Sequence, residues 1–218
     1  RDIRTSILAP NERVQQIIDT INAEINAKSS VFFLNNYEEE LKYEDPVNIR
    51  KIRVMYIPSQ VQQEIESRIA QYSTWKYPAL EIGCRDGEWT QHMTSADPLY
   101  IMDRHEEFLE SANSQFPREY QARLRKYHLK PDHNLSALPQ GQMAFVFSWG
   151  YFNYVSIDTM HQVLEQVKKV LRPGGVFMFS YNDGDTPSGA GMAENFAQSY
   201  MPKSILIPLC QSLGFDVI

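Results

Sequence analysis

From about residue 59 onward, short apolar runs alternate with longer amphipathic stretches. The runs at 78–82, 98–103, 143–148 and 175–181 are five to seven mostly apolar residues each, the length and texture of strands buried on both faces. A weaker run at 123–128 and a last one at 214–218 complete the set. Between them, residues 59–72, 87–94, 105–115, 157–171 and 202–212 carry the spacing of helices packed on one side. Strands alternating with helices of this length predict an α/β fold with a doubly wound, mostly parallel sheet. Ligands bind such sheets beyond the carboxyl ends of the strands.

The first 58 residues follow a different pattern. Residues 11–28 read as a helix capped by Asn11, with Val14, Ile18, Ile21 and Ile25 in a 4-3-4 stripe. Two heptads of such a stripe must dock, either on their own domain or on a partner. Val31-Phe32-Phe33-Leu34 is a short buried run. The acidic connector Glu38-Glu39-Glu40 to Asp45 ends at Pro46, and Ile52 to Ile57 reads as extended. The expected organisation is an accessory segment over 1–58 and a main domain over 59–218. Ser59-Gln60-Val61-Gln62 reads as a capping box, with Val61, Ile65 and Ile69 on one face of the helix it opens.

Three motifs carry candidate chemistry. Tyr77-Pro78-Ala79-Leu80-Glu81-Ile82-Gly83-Cys84-Arg85-Asp86-Gly87 is a strand that ends in an acid and enters a glycine-bearing turn. Leu99-Tyr100-Ile101-Met102-Asp103 is a second run ending in an acid. Asp103 stands 22 residues after Glu81, near the ~20-residue spacing of a ribose-binding carboxylate in a nucleotide-binding βαβ unit. Val170-Leu171-Arg172-Pro173-Gly174-Gly175 stops a helix ahead of the run Val176 to Ser180.

Together these motifs resemble the class I S-adenosylmethionine-dependent methyltransferases, with their Rossmann-like core. Leu-Glu-Ile-Gly-x-x-x-Gly resembles that family's first motif, and Leu-Arg-Pro-Gly-Gly its signature before the fifth strand. Asn134-Leu135-Ser136-Ala137-Leu138-Pro139 and Met143 to Ser148 resemble the segments between them. The sequence departs from the pattern at Arg85, where a glycine is usual, at Asn134, where an acid is common, and at Ala144, where aspartate often opens the fourth strand. The resemblance implies S-adenosylmethionine as cofactor, held around Glu81, Gly83, Cys84 and Gly87. It implies ribose hydroxyls on Asp103, adenine facing Asn134, and Ser148 and Trp149 lining the methyl-transfer side. It also makes Gly214-Phe215-Asp216-Val217-Ile218 a sixth strand, with the family's final antiparallel strand missing from this span.

No general base stands out. Tyr181 and Asp183, just past the fifth strand, are weak catalytic candidates, and a role for Asp183 in capping or turning the Gly184-Asp185-Thr186-Pro187 loop is slightly favoured. That loop, glycine-rich through Gly191, reads as a mobile lid. His92, His105 and His161 are more often surface residues than bases, and neither His nor Cys shows metal-ligand spacing. Cys84 and Cys210 are too few for a disulfide framework, which points to a reducing, cytoplasmic setting.

A net charge of −6 argues against a long nucleic-acid track, although Arg118, Arg123, Arg125, Lys126 and Lys130 crowd one stretch. No run is long and apolar enough for a membrane span. A small-molecule acceptor fits best. The alternative is a methyltransferase-like module with little or no catalysis, built into an oligomer or larger assembly through residues 11–28. The Tyr-Asn-Asp end of the fifth strand also resembles methyltransferase-like proteins encoded by phages, which would place such a module in a virion.

Overall fold

The computed structural model describes residues 57–194 and 198–218. The helix expected over 11–28, the run from Val31 to Leu34 and all but Ile57 of the extended segment lie outside the described residues. The elements are α1 (Ser59–Tyr72), β1 (Ala79–Ile82), β2 (Leu99–Asp103), α2 (Glu106–Ser114), the single turn α3 (Arg118–Gln121) and β3 (Leu124–His128). They continue with β4 (Met143–Ser148), α4 (Ile157–Val170), β5 (Leu171–Phe179), α5 (Pro187–Glu194) and α6 (Lys203–Ser212).

The five strands form one parallel sheet in the order β3-β2-β1-β4-β5. Strand order reverses between β1 and β4, the switch point beside which doubly wound sheets bind their ligands. Successive side chains of each strand enter different interiors. Leu80, Ile82, Tyr100, Met102 and Val146 pack with Val163, Leu164 and Val167 of α4 and Leu206 of α6. Ala79, Leu99, Ile101, Phe145 and Phe147 pack with Ile65 and Ile69 of α1 and Leu109 and Ala112 of α2. Each fully buried Leu, Ile or Phe in these layers is worth roughly 1.5–3 kcal/mol in transfer free energy.

Helix α4 behaves as its sequence predicts. Ser156 caps it by accepting from the Thr159 N–H at 3.2 Å, and Lys168 and Lys169 stand in its last turn, where the helix dipole favours cations. Leu171 then pairs with Met143, and Arg172-Pro173-Gly174-Gly175 forms an excursion before Val176 pairs with Phe145.

Elsewhere the structure corrects the expectations. Helix α1 has Pro58 at its N-cap with no side-chain cap bond, so Ser59 is the first helical residue rather than half of a capping box. Val61 is 45% exposed, because α1 rests on Ile65, Ile69 and its last residue, Tyr72, which stacks on Phe145. In place of a helix over 87–94 there is a four-residue 3-10 turn, Thr90–Met93. The glycine-rich segment expected as a lid loop is largely helix α5. Gly214 to Ile218 carries no strand.

The basic stretch is a solvated edge. Arg123 pairs with Asp97 at 3.1 Å and Lys126 with Glu110 at 2.5 Å. Among the described residues, no helix is long and apolar enough to cross a membrane, and no cluster of His, Cys, Asp or Glu is placed to hold a metal.

Candidate active site at the strand ends

The carboxyl ends of β1, β2 and β4 lie side by side, so the turns that follow them share one rim. At the end of β1 the chain turns through Gly83 at φ +75°, with the N–H groups of Gly83 and Cys84 both bonded to the Met102 carbonyl on β2. Four residues on, Gly87 has φ +85°, and a Cβ there would stand 2.9 Å from the Ala112 Cα. That glycine lets α2 close against the turn. At Gly83 the space a Cβ would fill is bounded instead by Tyr151, whose Cβ and Cδ2 are 3.2 and 3.3 Å away.

Arg85 adopts the left-handed conformation without being glycine, at φ +47°. Its N–H donates to the Asp103 carboxylate at 2.9 Å, and its guanidinium lies 5.9 Å over the Phe108 ring of α2. The other Asp103 oxygen accepts the His105 N–H at 3.1 Å. Burial pushes the Asp103 carboxyl above the usual aspartate range, and these two backbone bonds only partly oppose it. Asp103 is thus a buried, oriented carboxylate at the end of the strand beside the glycine turn.

Three other expected residues sit beneath the site. The Glu81 side chain is buried, and its carboxylate accepts the Thr90 hydroxyl at 2.5 Å. Cys84 is buried, and desolvation, followed by the nearby Glu81 and Asp103 charges, holds its thiol far above the ordinary range. Ser148 is buried, and its hydroxyl donates to the Ile82 carbonyl at 2.9 Å, tying β4 to β1. These side chains brace the floor.

Trp149 is half-buried and packs 5.5 Å from Trp89. Asn134 is exposed, and its side-chain oxygen accepts the Ser136 N–H at 2.8 Å, which fixes the turn leading to Leu138.

On the far side of the rim, Ser180 links the turns after β4 and β5. Its hydroxyl accepts the Gly150 N–H at 2.7 Å and donates to the Asn153 side-chain oxygen at 3.2 Å. Buried Asn182 donates to the carbonyls of Gly189 and Ser199. Asp183, a weak catalytic candidate from sequence, is a structural residue. Its Oδ1 accepts the N–H groups of Asp185 and Lys203, so it holds a turn and the start of α6. Tyr181 is half-buried. Burial first, then the Asp183 and Asp185 charges, keep its phenol protonated above the ordinary range. A phenol so held is a poor base.

Sequence reasoning missed one pair. His133 is buried, has φ +50°, and lies 2.7 Å through Nδ1 from the Tyr151 hydroxyl. Burial, then the Arg104 charge, lower its pKa, so the ring is neutral near pH 7, and its tautomer sets which of the two groups donates. Nothing in the spacing of two residues 18 apart on separate loops signals such a contact.

Residues 80–177 match the family model described as a methyltransferase domain. An S-adenosylmethionine-dependent methyltransferase from Mesorhizobium loti superposes with a TM-score of 0.58 at 16% identity, over 71% of this chain and 81% of that one. A geranyl diphosphate C-methyltransferase from Streptomyces coelicolor, solved with S-adenosyl-L-homocysteine, gives 0.56 at 10% identity over 71% and 61%. The [4+2]-cyclase SpnF gives 0.55 at 15% identity over 73% and 60%. No curated protein matches the chain in sequence. The β3-β2-β1-β4-β5 sheet and its glycine turn have the Rossmann-like fold of these S-adenosylmethionine-dependent methyltransferases, and residues 80–177, just under half of the chain, are similar to a methyltransferase domain.

Proposed function

We propose that this chain transfers a methyl group from S-adenosylmethionine to a small-molecule acceptor in the cytoplasm. The carrying observation is the buried Asp103 carboxylate, oriented by two backbone N–H groups, beside the Gly83 turn at the switch point of a parallel sheet. A ribose diol offers two hydroxyl donors, and an oriented carboxylate keeps further lone pairs to accept them. Asp103 would hold that diol, Gly83 would face the methionine side, and the loop at Asn134 would border the adenine. Bound there, S-adenosylmethionine supplies an electrophilic methyl group on a sulfonium.

What remains for the chain is to position an acceptor, exclude water and let a proton leave. Half-buried Trp149 presents an aromatic wall at the end of β4, suited to a flat or cationic acceptor. Asp183 and Tyr181 are committed to scaffolding and to a raised phenol pKa, so proton removal falls to solvent or to the acceptor's own acidity. Cys84 and Cys210 are both buried and unpaired with each other, as suits a reducing compartment. The division at residues 58 and 59, with 1–58 as a docking segment for an assembly, belongs to this reading.

A second reading has the same fold serving without methyl transfer. The fold of SpnF and the scaffolding role of Asp183 favour it, since fold alone does not fix chemistry.

Titration calorimetry with S-adenosylhomocysteine tests the first reading. The wild-type chain should bind, and Asp103→Ala should bind more than tenfold more weakly with a retained melting transition. Equal affinity in the variant would refute the role of Asp103. No heat with the wild-type chain or with variants that open the site would favour the second reading.

A further inference from the structure

We propose that Tyr151 and His133 form a latch across the Gly83 end of the cleft, and that a ligand enters by breaking their hydrogen bond. This rests on the reading that the cleft takes S-adenosylmethionine.

The geometry comes from three strand ends. Tyr151 lies in the turn after β4, next to Gly150 at φ +76°, and His133 lies in the loop after β3, in the left-handed conformation at φ +50°. Their side chains meet at 2.7 Å and so connect the two loops that flank β1 and β2. Tyr151 covers Gly83 directly, since its Cβ and ring carbons bound the space a side chain there would take. Asp103 ends the neighbouring β2, and Gly83 donates its N–H to Met102 of that strand. One phenol therefore occupies ground between the glycine turn and the loop after β3.

Other features point the same way. A non-glycine residue at positive φ persists only where its surroundings hold it, and here the hold includes the bond to Tyr151. Tyr151 makes edge contacts with His133 and Phe152, at 6.1 and 5.4 Å between ring centres. The turn after β4 is tied down at Gly150 and Asn153 through Ser180, so the Tyr151 side chain can swing while its backbone stays. A bound ligand over Gly83 would then gain the Tyr151 ring as a wall and free His133 to face it. In the closed form the same bond lowers the apparent affinity by the fraction of molecules that are shut.

Rapid-mixing association of S-adenosylhomocysteine, read by intrinsic tryptophan fluorescence, tests the latch beside calorimetry. Two conservative variants are compared, each with its melting transition measured alongside. Tyr151→Phe retains the ring, and His133→Asn keeps a residue that tolerates the left-handed conformation. In the wild-type chain the observed rate should level off at high ligand concentration, because opening limits entry. Both variants should lose the plateau, associate at least threefold faster at that concentration, and bind at least threefold tighter. Rates and affinities equal to wild type, or weaker binding in Tyr151→Phe, would overturn the latch while leaving the cofactor site standing. Absence of binding in all three chains would remove the cofactor reading, and the latch with it.

Discussion

The backbone N–H of Arg85 donates to the side chain of Asp103 at 2.9 Å, joining the turn after β1 to the end of β2. The residue that departs from the glycine usual in this turn therefore orients the carboxylate proposed to hold the ribose. A main-chain group makes this bond, so the bond itself does not require a particular side chain at position 85.

That relationship makes Arg85→Gly a mild change. A non-glycine residue in the left-handed region gives up about 1–2 kcal/mol relative to glycine, and the stacking of this buried guanidinium on the Phe108 ring returns about 0.5–2 kcal/mol. The two nearly cancel. Denaturation should place the variant within ~1 kcal/mol of wild type, and S-adenosylhomocysteine affinity should stay within about threefold. A loss of binding beyond tenfold would show that the guanidinium touches the ligand.

The same carboxylate sets a pH dependence. Burial raises its folded pKa above the unfolded value, so between the two the folded chain holds more proton than the unfolded chain. The stability contributed by Asp103 is therefore greatest below the ordinary aspartate value of about 4, declines as pH rises through the raised folded value, and is level above it. In Asp103→Asn that dependence is absent. Urea titrations in a series from about pH 7 down to about pH 4 should show wild type gaining on the variant as pH falls. A difference that does not change with pH, or that shrinks towards acid, would contradict a raised Asp103 pKa.

Asp183 tests the boundary between scaffold and catalysis. It accepts the Lys203 N–H at 2.9 Å and the Asp185 N–H at 3.1 Å, and Asp183→Ala removes both acceptors. Losing such a cap costs roughly 0.5–2 kcal/mol, visible as a lower melting temperature. Cofactor affinity should be unchanged, because the carboxylate faces α6 and its own loop. Weaker binding of S-adenosylhomocysteine with an unaltered melt would return Asp183 to the site.

The sheet was legible in the sequence because strands covered on both faces are continuous apolar runs. Leu99 to Met102 and Phe145 to Phe147 have no other economical fate. The glycine turn and Asp103 were legible from their spacing. The segment after Gly87 was not, since Trp89, Thr90 and Met93 are all buried and look helical in a list, yet they close in a 3-10 turn. Helix α5 was hidden by Gly189 and Gly191, whose low helix propensity reads as loop, although packing under Asp183 overrides it. Gly214 to Ile218 fits a strand by composition. Pairing, however, belongs to the neighbour as much as to the segment, and none of the described strands takes it. Tyr151 and His133 lay beyond reach because contact between two loops depends on where the sheet carries them.

The alternation of side chains between two interiors has a mechanical consequence. Leu80 and Ile82 face one layer while Ala79 faces the other, so one strand is a partition with a separate load on each side. A void opened beside α4 cannot be filled by a shift of α1, since the hydrogen-bonded backbone of the sheet stands between them. The rim at Gly83, Asp103 and Tyr151 is the border where the two loads meet. It draws rigidity from both, and damage on either side would reach it as a tilt of strand ends rather than as the loss of any residue that touches a ligand.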